Sequence, residues 1–453
     1  MSDAEDFEAA VAAVREEIDP SPAERERMES VADELRERAE RAIAALPVDA
    51  DVLQVGSTAR GTWISGDRDV DVFVRFPTDL DREELEEYGL EVGHSVLPEG
   101  HEEYAEHPYV KGSVDGFDVD LVPCYDVDDA AAIRSAVDRT PFHTEYVAER
   151  LDDDLAADVR LAKQFLTGIG AYGSDLRTRG FSGYLTELLV LEYGGFRELV
   201  EAAAEWHPPV ELDPEGHAAE TFDDPLVVID PTDPGRNVAA VLSAENVARL
   251  QHYARDLLDD PREELFFPDE PDRFSPDDVE AAIDDRETTP VAIRFAAPDV
   301  VEDQLYPQLA RSLDGVAEDL DRRGFDVMRS TAFADERAVL LAELGVAERP
   351  TIERHEGPPV HVRDHATGFY EKYADDPDAY GPFIEDGRYV VEREREFHTA
   401  AAFLHSDRLL DVRLGTHVES ALEDDYDVLV GEEIAALAEE FGVELARYFD
   451  PEP

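Results

Sequence analysis

The sequence predicts a multidomain protein of mixed α/β and α+β class, on three grounds. At 453 residues the chain exceeds the ~250–300 residues at which a single hydrophobic core stops growing. Apolar residues make up 43% of it, enough for packed cores, yet no apolar run approaches the ~20 residues that span a bilayer. Along the chain the apolar spacing switches repeatedly between the helical period of about 3.6 and the strand period of 2.

The elements follow in order. Residues 7–18 and 23–46 read as helices, the second opened by Ser21 as N-cap with Pro22 in its first turn. Asp51 to Val55 is a short strand ended by Gly56-Ser57, Thr58 to Trp63 a helical turn, and Val70 to Val74 an alternating strand. A helix follows near 81–90, then a hairpin of Tyr109–Val114 and Phe117–Val122 turning at Asp115-Gly116. Helical spacing dominates from 153 to about 258, where Val159, Leu161, Ala162, Phe165 and Leu166 recur at 3–4 intervals. The Pro- and Asp-rich stretch 259–288 reads as a linker. Beyond it come a strand at 291–295, a helix at 302–323, strands near 325–333 and 337–343, and helices near 365–374, 394–405 and 431–447. These groupings suggest a mixed unit over 1–150, a helical neck over 151–260 and an α+β body and tail over 261–453.

Charge is the strongest compositional signal. The chain has 110 acidic against 41 basic residues, a net −69, and only Lys111, Lys163 and Lys372 are lysines. The acids run through every segment, so they do not mark a local tail for a basic partner. Such a surface repels itself at ordinary ionic strength, whereas at molar salt the Debye length falls to ~3 Å. The composition therefore reads as adaptation to a salty cytoplasm, and a missing basic patch does not exclude nucleic-acid binding. The acidic start Met1–Asp6 lacks the basic and apolar regions of a signal peptide, so a cytoplasmic, non-membrane protein is expected. Cys124 is the single cysteine; this excludes an intrachain disulfide and a cysteine-rich zinc site, and Cys124 itself reads as small core filler.

The chemistry centres on Gly56-Ser57-Thr58-Ala59-Arg60-Gly61-Thr62-Trp63 followed by Asp67-Arg68-Asp69-Val70-Asp71-Val72-Phe73. A strand ending in Gly-Ser at a helix start exposes backbone N–H groups suited to phosphate, with the Ser57 hydroxyl and Arg60 close behind. Asp69 and Asp71 are two apart on a strand, so their carboxylates share one face, and Asp118 and Asp120 repeat that spacing on a second strand. Two carboxylates on one strand and a third beside them can hold two Mg²⁺ ions for in-line phosphoryl chemistry. In so acidic a chain Asp-x-Asp alone means little. The order strand, Gly-Ser, helical turn, then paired Asp among apolar neighbours is what carries the signal, because buried strands rarely hold unpaired Asp.

The segment Gly56–Phe76 resembles the head motif of the archaeal-type (class I) CCA-adding enzymes, tRNA nucleotidyltransferases of the DNA polymerase β-like superfamily. The resemblance continues through Phe117–Tyr125, Arg139–His143, Val159–Leu189, Asp230–Asp233 and Arg236–Ala240, in order over roughly residues 20–405. It implies a polymerase β-like palm as the nucleotidyltransferase head, then the helical neck, body and tail. It further implies Asp69, Asp71 and Asp120 as metal-binding catalytic carboxylates, although some members carry Glu where Asp69 stands. Ser57, Arg60, Thr140, His143, Lys163 and Tyr172 would hold the triphosphate and sugar, and Arg236 would help read the base. The implied activity is template-independent addition of CCA to the tRNA acceptor end from CTP and ATP with Mg²⁺. His355–Pro359 and Gly368–Tyr373 resemble the tail that grips tRNA.

Taken without the resemblance, several of these residues have plainer readings: His143 as a polar residue at a helix start, Tyr172 as a packing aromatic, Arg236 as a partner for local acids, and Thr140 as an N-cap. Alternative activities are a poly(A) polymerase or oligoadenylate synthetase using the same head, or a non-catalytic RNA-binding scaffold. A homodimer stands as an open alternative to a monomer.

The charge yields the first prediction. Melting temperature and activity rise together as KCl increases from about 0.1 M to molar concentration, followed by circular dichroism and by turnover; an optimum near physiological ionic strength would overturn the salt-adaptation reading.

Overall fold

The computed structural model describes residues 3–453, which divide into two compact units, one running to Asp269 with Pro453 added, the other Glu270–Glu452.

The first unit begins with α1 (Asp3–Ile18) and α2 (Pro22–Ile43), then β1 (Asp51–Val55), α3 (Gly56–Arg60), β2 (Asp69–Phe76), α4 (Arg82–Val96), β3 (His101–Tyr104), β4 (Pro108–Val114) and β5 (Phe117–Tyr125). As expected, Ser21 caps α2, and it does so in a capping box with Glu24. The five strands form one sheet in the order β1-β2-β5-β4-β3. β2 and β5 run parallel with Asp69 opposite Asp118 and Asp71 opposite Asp120. The β4–β5 hairpin turns at Asp115 and Gly116, both at positive φ (53° and 81°), the left-handed pair a two-residue turn requires.

Alternation then decides the faces of the sheet. Val70, Val72, Val74 and Phe76 of β2 join Val119 and Leu121 of β5 in a core closed by Leu35 of α2 and Leu85, Val92 and Val96 of α4. The intervening residues point the other way, where Phe73 and the buried Cys124 form a small apolar cluster with Val55. Both pairs of aspartates lie on that second face.

The first unit continues with α5 (Thr140–Ala148), α6 (Asp153–Gly168), α7 (Gly183–Tyr193), α8 (Phe196–Ala204), β6 (Val210–Leu212), β7 (Leu226–Asp230), β8 (Asp233–Asn237) and α9 (Ala244–Asp259). Helices α6 to α9 bury a core around Phe165, Leu185, Leu188, Phe196 and Leu250. The first helix contributes Phe7, Val11, Val14 and Ile18 to this same core, so head and neck are not consecutive blocks of sequence. The neck also holds a three-stranded sheet, β6-β7-β8, where only helical spacing was expected. Its strands are three to five residues long, too short for a period of 2 to stand out.

In the second unit α10 (Pro276–Arg286), β9 (Thr289–Ala296), α11 (Glu302–Arg322), β10 (Val327–Ala334) and β11 (Arg337–Leu344) precede β12 (Ile352–Pro359), α12 (Arg363–Tyr373), β13 (Ala379–Glu385), β14 (Arg388–Glu394), α13 (Ala400–Leu404), α14 (Thr416–Asp424), β15 (Tyr426–Val430) and α15 (Ala438–Phe449). An antiparallel sheet β10-β11-β9-β15 is covered on one face by α11 and α14 and on the other by α10 and α15. A smaller sheet, β12-β14-β13, carries α12, and Phe369 packs so closely on β12 that a Cβ at Gly357 would lie 2.7 Å from its ring.

Two expectations need correction here. The stretch read as linker contains α10, started by a Ser275 capping box with Pro276 in the first turn. The helix expected over 394–405 reduces to α13, because residues up to Glu394 belong to β14 and Thr399 is the N-cap. No helix among the described residues is long and apolar enough to cross a membrane.

Candidate active site

The site is built where β1 turns into α3 beside the aspartate face of the sheet. Gly56 sits at φ +77°, and a Cβ there would come within 2.1 Å of Asp71 Oδ2. The position therefore demands glycine twice, for its left-handed backbone and for the close approach of the carboxylate. α3 starts without a side-chain cap, which leaves its first N–H groups for another acceptor. Ser57, half-buried, is the second residue of that turn.

Asp69, Asp71 and Asp120 share a face of two adjacent strands. Burial first, then the neighbouring Asp120 and Asp69, pushes Asp71 up to about 6. Asp69 is raised by burial and by Asp67 and Asp118. Asp120 is raised by burial while Lys111 opposes the shift. Lys111 lies opposite Asp120 on β4, with Nζ 3.5 Å from Oδ1. Among the described residues no three carboxylate, histidine or cysteine side chains already converge into a metal-holding group. The donor set still fits a hard divalent cation: three partly desolvated carboxylates that repel one another, with one ammonium alongside. Of the other local acids, Asp67 accepts from the Ile64 N–H at 3.1 Å and Asp126 pairs with Arg75 at 3.3 Å.

One turn beyond Gly56, Arg60 donates to Thr144 Oγ1 of α5 at 3.1 Å and lies 3.0 Å from Glu187 Oε2 of α7. Lys163 of α6 is buried and donates to the Thr62 carbonyl at 3.1 Å and to Thr62 Oγ1 at 3.3 Å. Burial pulls the Lys163 ammonium below its ordinary value, and Arg60 adds to that while Glu187 opposes it. Tyr172 meets Lys163 over Gly183, where a Cβ would stand 3.1 Å from the tyrosine oxygen and 3.8 Å from Nζ. Arg60, Lys163 and Tyr172 are thus brought to one place.

A second group gathers on Asp230, fully buried at the end of β7. Its carboxylate contacts His143 Nε2 at 2.8 Å and Arg236 Nη1 at 2.8 Å, and accepts from the Thr232 N–H and hydroxyl at 2.9 and 2.8 Å. Burial opposes ionisation of Asp230, yet His143 and Thr232 hold it well below the usual carboxylate range. His143 is pulled down by burial, against the pull of Asp230, and stacks on Tyr184 with ring centres 3.9 Å apart. Arg236, anchored at one end, keeps its side chain 34% exposed. Thr140 opens α5 one turn before Thr144, half-buried; the cap position belongs to Arg139, which pairs instead with Asp233.

Sequence reasoning gave no role to Glu187, Asp230, Thr62 or Lys111. A signal existed for the first two: Glu187 interrupts the apolar run Leu185–Val190, and Asp230 ends the apolar strand Leu226–Ile229. An acid inside a buried run needs a partner.

Similarity to known proteins extends over most of the chain. Residues 29–143 match the nucleotidyltransferase domain family, 157–267 the second domain of tRNA nucleotidyltransferase, and 286–431 the C-terminal domain of CCA-adding enzyme. The chain is 64% identical over 468 residues to the CCA-adding enzyme of Haloarcula marismortui, covering 100% of both chains. This chain belongs to the CCA-adding enzyme family. Other CCA-adding enzymes match at 60% identity in Halobacterium salinarum (98% of this chain, 99% of that one) and at 48% in Methanoregula boonei (87% and 86%). The halophilic archaeal relatives fit the acidic composition, and nucleotidyltransferases of this kind generally use divalent metal ions.

Two predictions follow from the geometry at Gly56 and Asp71. Gly56→Ala drives Asp71 from its place and lowers nucleotide addition about 100-fold or more, with a much smaller loss of melting temperature. A divalent cation held by Asp71 would have to displace its proton, so metal affinity is expected to fall as pH drops through about 6; titration calorimetry across that range checks it, and a flat profile would exclude Asp71 as a ligand.

Proposed function

We propose that Asp69, Asp71 and Asp120 are the catalytic carboxylates of a Mg²⁺-dependent transfer in which a tRNA 3′-hydroxyl attacks the α-phosphate of CTP or ATP and releases pyrophosphate. The observation that carries this reading is the β2–β5 register, which sets Asp71 beside Asp120, together with the glycine that admits the Asp71 carboxylate to the mouth of α3. Held by these carboxylates, Mg²⁺ supplies charge neutralisation and activation of the attacking hydroxyl. The remaining residues bind and orient. The Ser57 hydroxyl and the N–H groups of the uncapped turn donate to phosphate oxygens, and Arg60 and Lys163 supply cationic donors. Thr140, His143 and Tyr172 line the path of triphosphate and sugar. Arg236, steadied by Asp230, turns its free edge to the base, which is read together with the bound tRNA backbone. One site takes CTP twice and then ATP as the growing 3′ end reshapes it.

The tail contributes the grip on the acceptor end of tRNA. There His355, Phe369 and Tyr373 cluster, with ring centres 4.9 to 6.1 Å apart, and Tyr370 is 47% exposed. The same reading has the enzyme working in the cytoplasm, as a monomer or a homodimer.

The test is nucleotide addition to a truncated tRNA at molar KCl with labelled CTP and ATP. A CCA-adding enzyme stops after C, C and A, whereas a poly(A) polymerase runs on. Asp69→Ala and Asp120→Ala each lower addition by about 1,000-fold or more, while a filter-binding assay shows tRNA affinity unchanged. Near-normal turnover in either variant would remove the three-carboxylate assignment.

A further inference from the structure

Glu187 lies at the junction of head and neck within the first unit. Its side chain is fully buried. Oε1 accepts from Thr62 Oγ1 at 2.5 Å and lies 3.7 Å from Lys163 Nζ; Oε2 lies 3.0 Å from Arg60 Nη2. One carboxylate from α7 therefore meets a cation from α3, a cation from α6 and the hydroxyl of the intervening loop.

We infer that Glu187 is a positioning residue that aims Arg60 and Lys163 at an incoming nucleoside triphosphate. The inference rests on the assignment of those two cations to the triphosphate. Direct contact supports it: Glu187 is the carboxylate within ion-pair reach of both cations, and Arg60 Nε is buried with no hydrogen-bond partner among the described residues. Phosphate is the ligand chemistry that completes such a set. Without the carboxylate, Arg60 and Lys163 would repel each other in a poorly solvated site. Lys163, unlike arginine, can relieve that repulsion by losing its proton. The titratable and charged groups facing Lys163 are Glu187 from α7, Arg60 from α3, Asp67 from the loop after α3 and Tyr172 from the loop after α6. Among these Glu187 is the acid nearest its ammonium, so removing its charge leaves Lys163 neutral at a lower pH than before.

The experiment is equilibrium dialysis of labelled CTP and of labelled ATP with the full chain at molar KCl, from about pH 7 to about pH 9. Glu187→Gln keeps the shape and loses the charge. It is expected to weaken both nucleotides about tenfold or more near pH 9, with the deficit shrinking toward pH 7 as Lys163 regains its proton. Glu187→Asp, which keeps the charge one methylene short, restores a pH course parallel to that of the unsubstituted protein. Where Glu187→Gln does not accumulate folded, Thr62→Val tests the same carboxylate by removing its hydroxyl donor, and a severalfold affinity loss is expected.

A Glu187→Gln variant with a lower melting temperature but unchanged affinity and pH course would overturn the inference and leave Glu187 a structural residue. Lys163→Met separates the layers. If it too binds CTP and ATP as before, the nucleotide-site assignment falls together with the inference; if it weakens binding while Glu187→Gln does not, only the role of Glu187 falls.

Discussion

The arrangement depends on the parallel register of β2 and β5. Side chains on a strand alternate strictly, so a slip of one residue would send Asp69 and Asp71 into the core now filled by Val70, Val72 and Val74. Burying those carboxylates without partners is far costlier than any local turn preference, and the same slip would expose the valines. The hydrophobic side of the sheet, packed under α2 and α4, thus fixes where the acidic side must point. Apolar burial specifies the chemistry, although no apolar residue takes part in it.

Around that sheet the scarce basic residues are tied down by a few buried acids. Glu187 and Asp230 are both fully buried, and each holds two of the groups assigned to the nucleotide. α6 adds a second clasp on the loop after α3, Arg160 donating to the Gly61 carbonyl at 2.6 Å beside Lys163 on the Thr62 carbonyl. Stacking of His143 on Tyr184 joins the group on Asp230 to the helix that carries Glu187. A buried charge with one partner missing is strongly destabilising, so these networks stand or fall as wholes. Preorganisation of this kind limits the rearrangement needed when a charged substrate arrives.

Much of this was legible in the sequence because it lies where local and long-range signals agree. The Gly56-Ser57 turn, the alternation through Asp69–Val74 and the Asp115-Gly116 hairpin each announce themselves over a few residues. Asp69, Asp71, Asp120 and Arg60 sit in or beside those motifs, and Lys163 lies on the apolar-periodic helix α6. Glu187 and Asp230 stayed without a role because their partners are distant in sequence: Glu187 meets Thr62 across 125 positions, and nothing near it hints at the pairing. In the second unit, strands such as Arg388–Glu394 pair with Ile352–Glu356 through faces made largely of Arg and Glu. A chain whose exposed positions are nearly all charged blurs the contrast that marks a strand. The linker reading of 259–288 failed for a related cause, since abundant Asp masked the capping signal of Ser275 and Asp278.

The solitary thiol has a separate bearing. Cys124, a residue of β5, is buried in the small cluster with Val55 and Phe73, and burial raises its proton affinity far above that of a free cysteine, so it is sealed against alkylating and oxidising reagents while that cluster is closed. Covalent tagging at that sulfur would report each excursion in which that cluster opens, giving a built-in clock for breathing of the sheet that bears Asp71 and Asp120 and needing no engineered label.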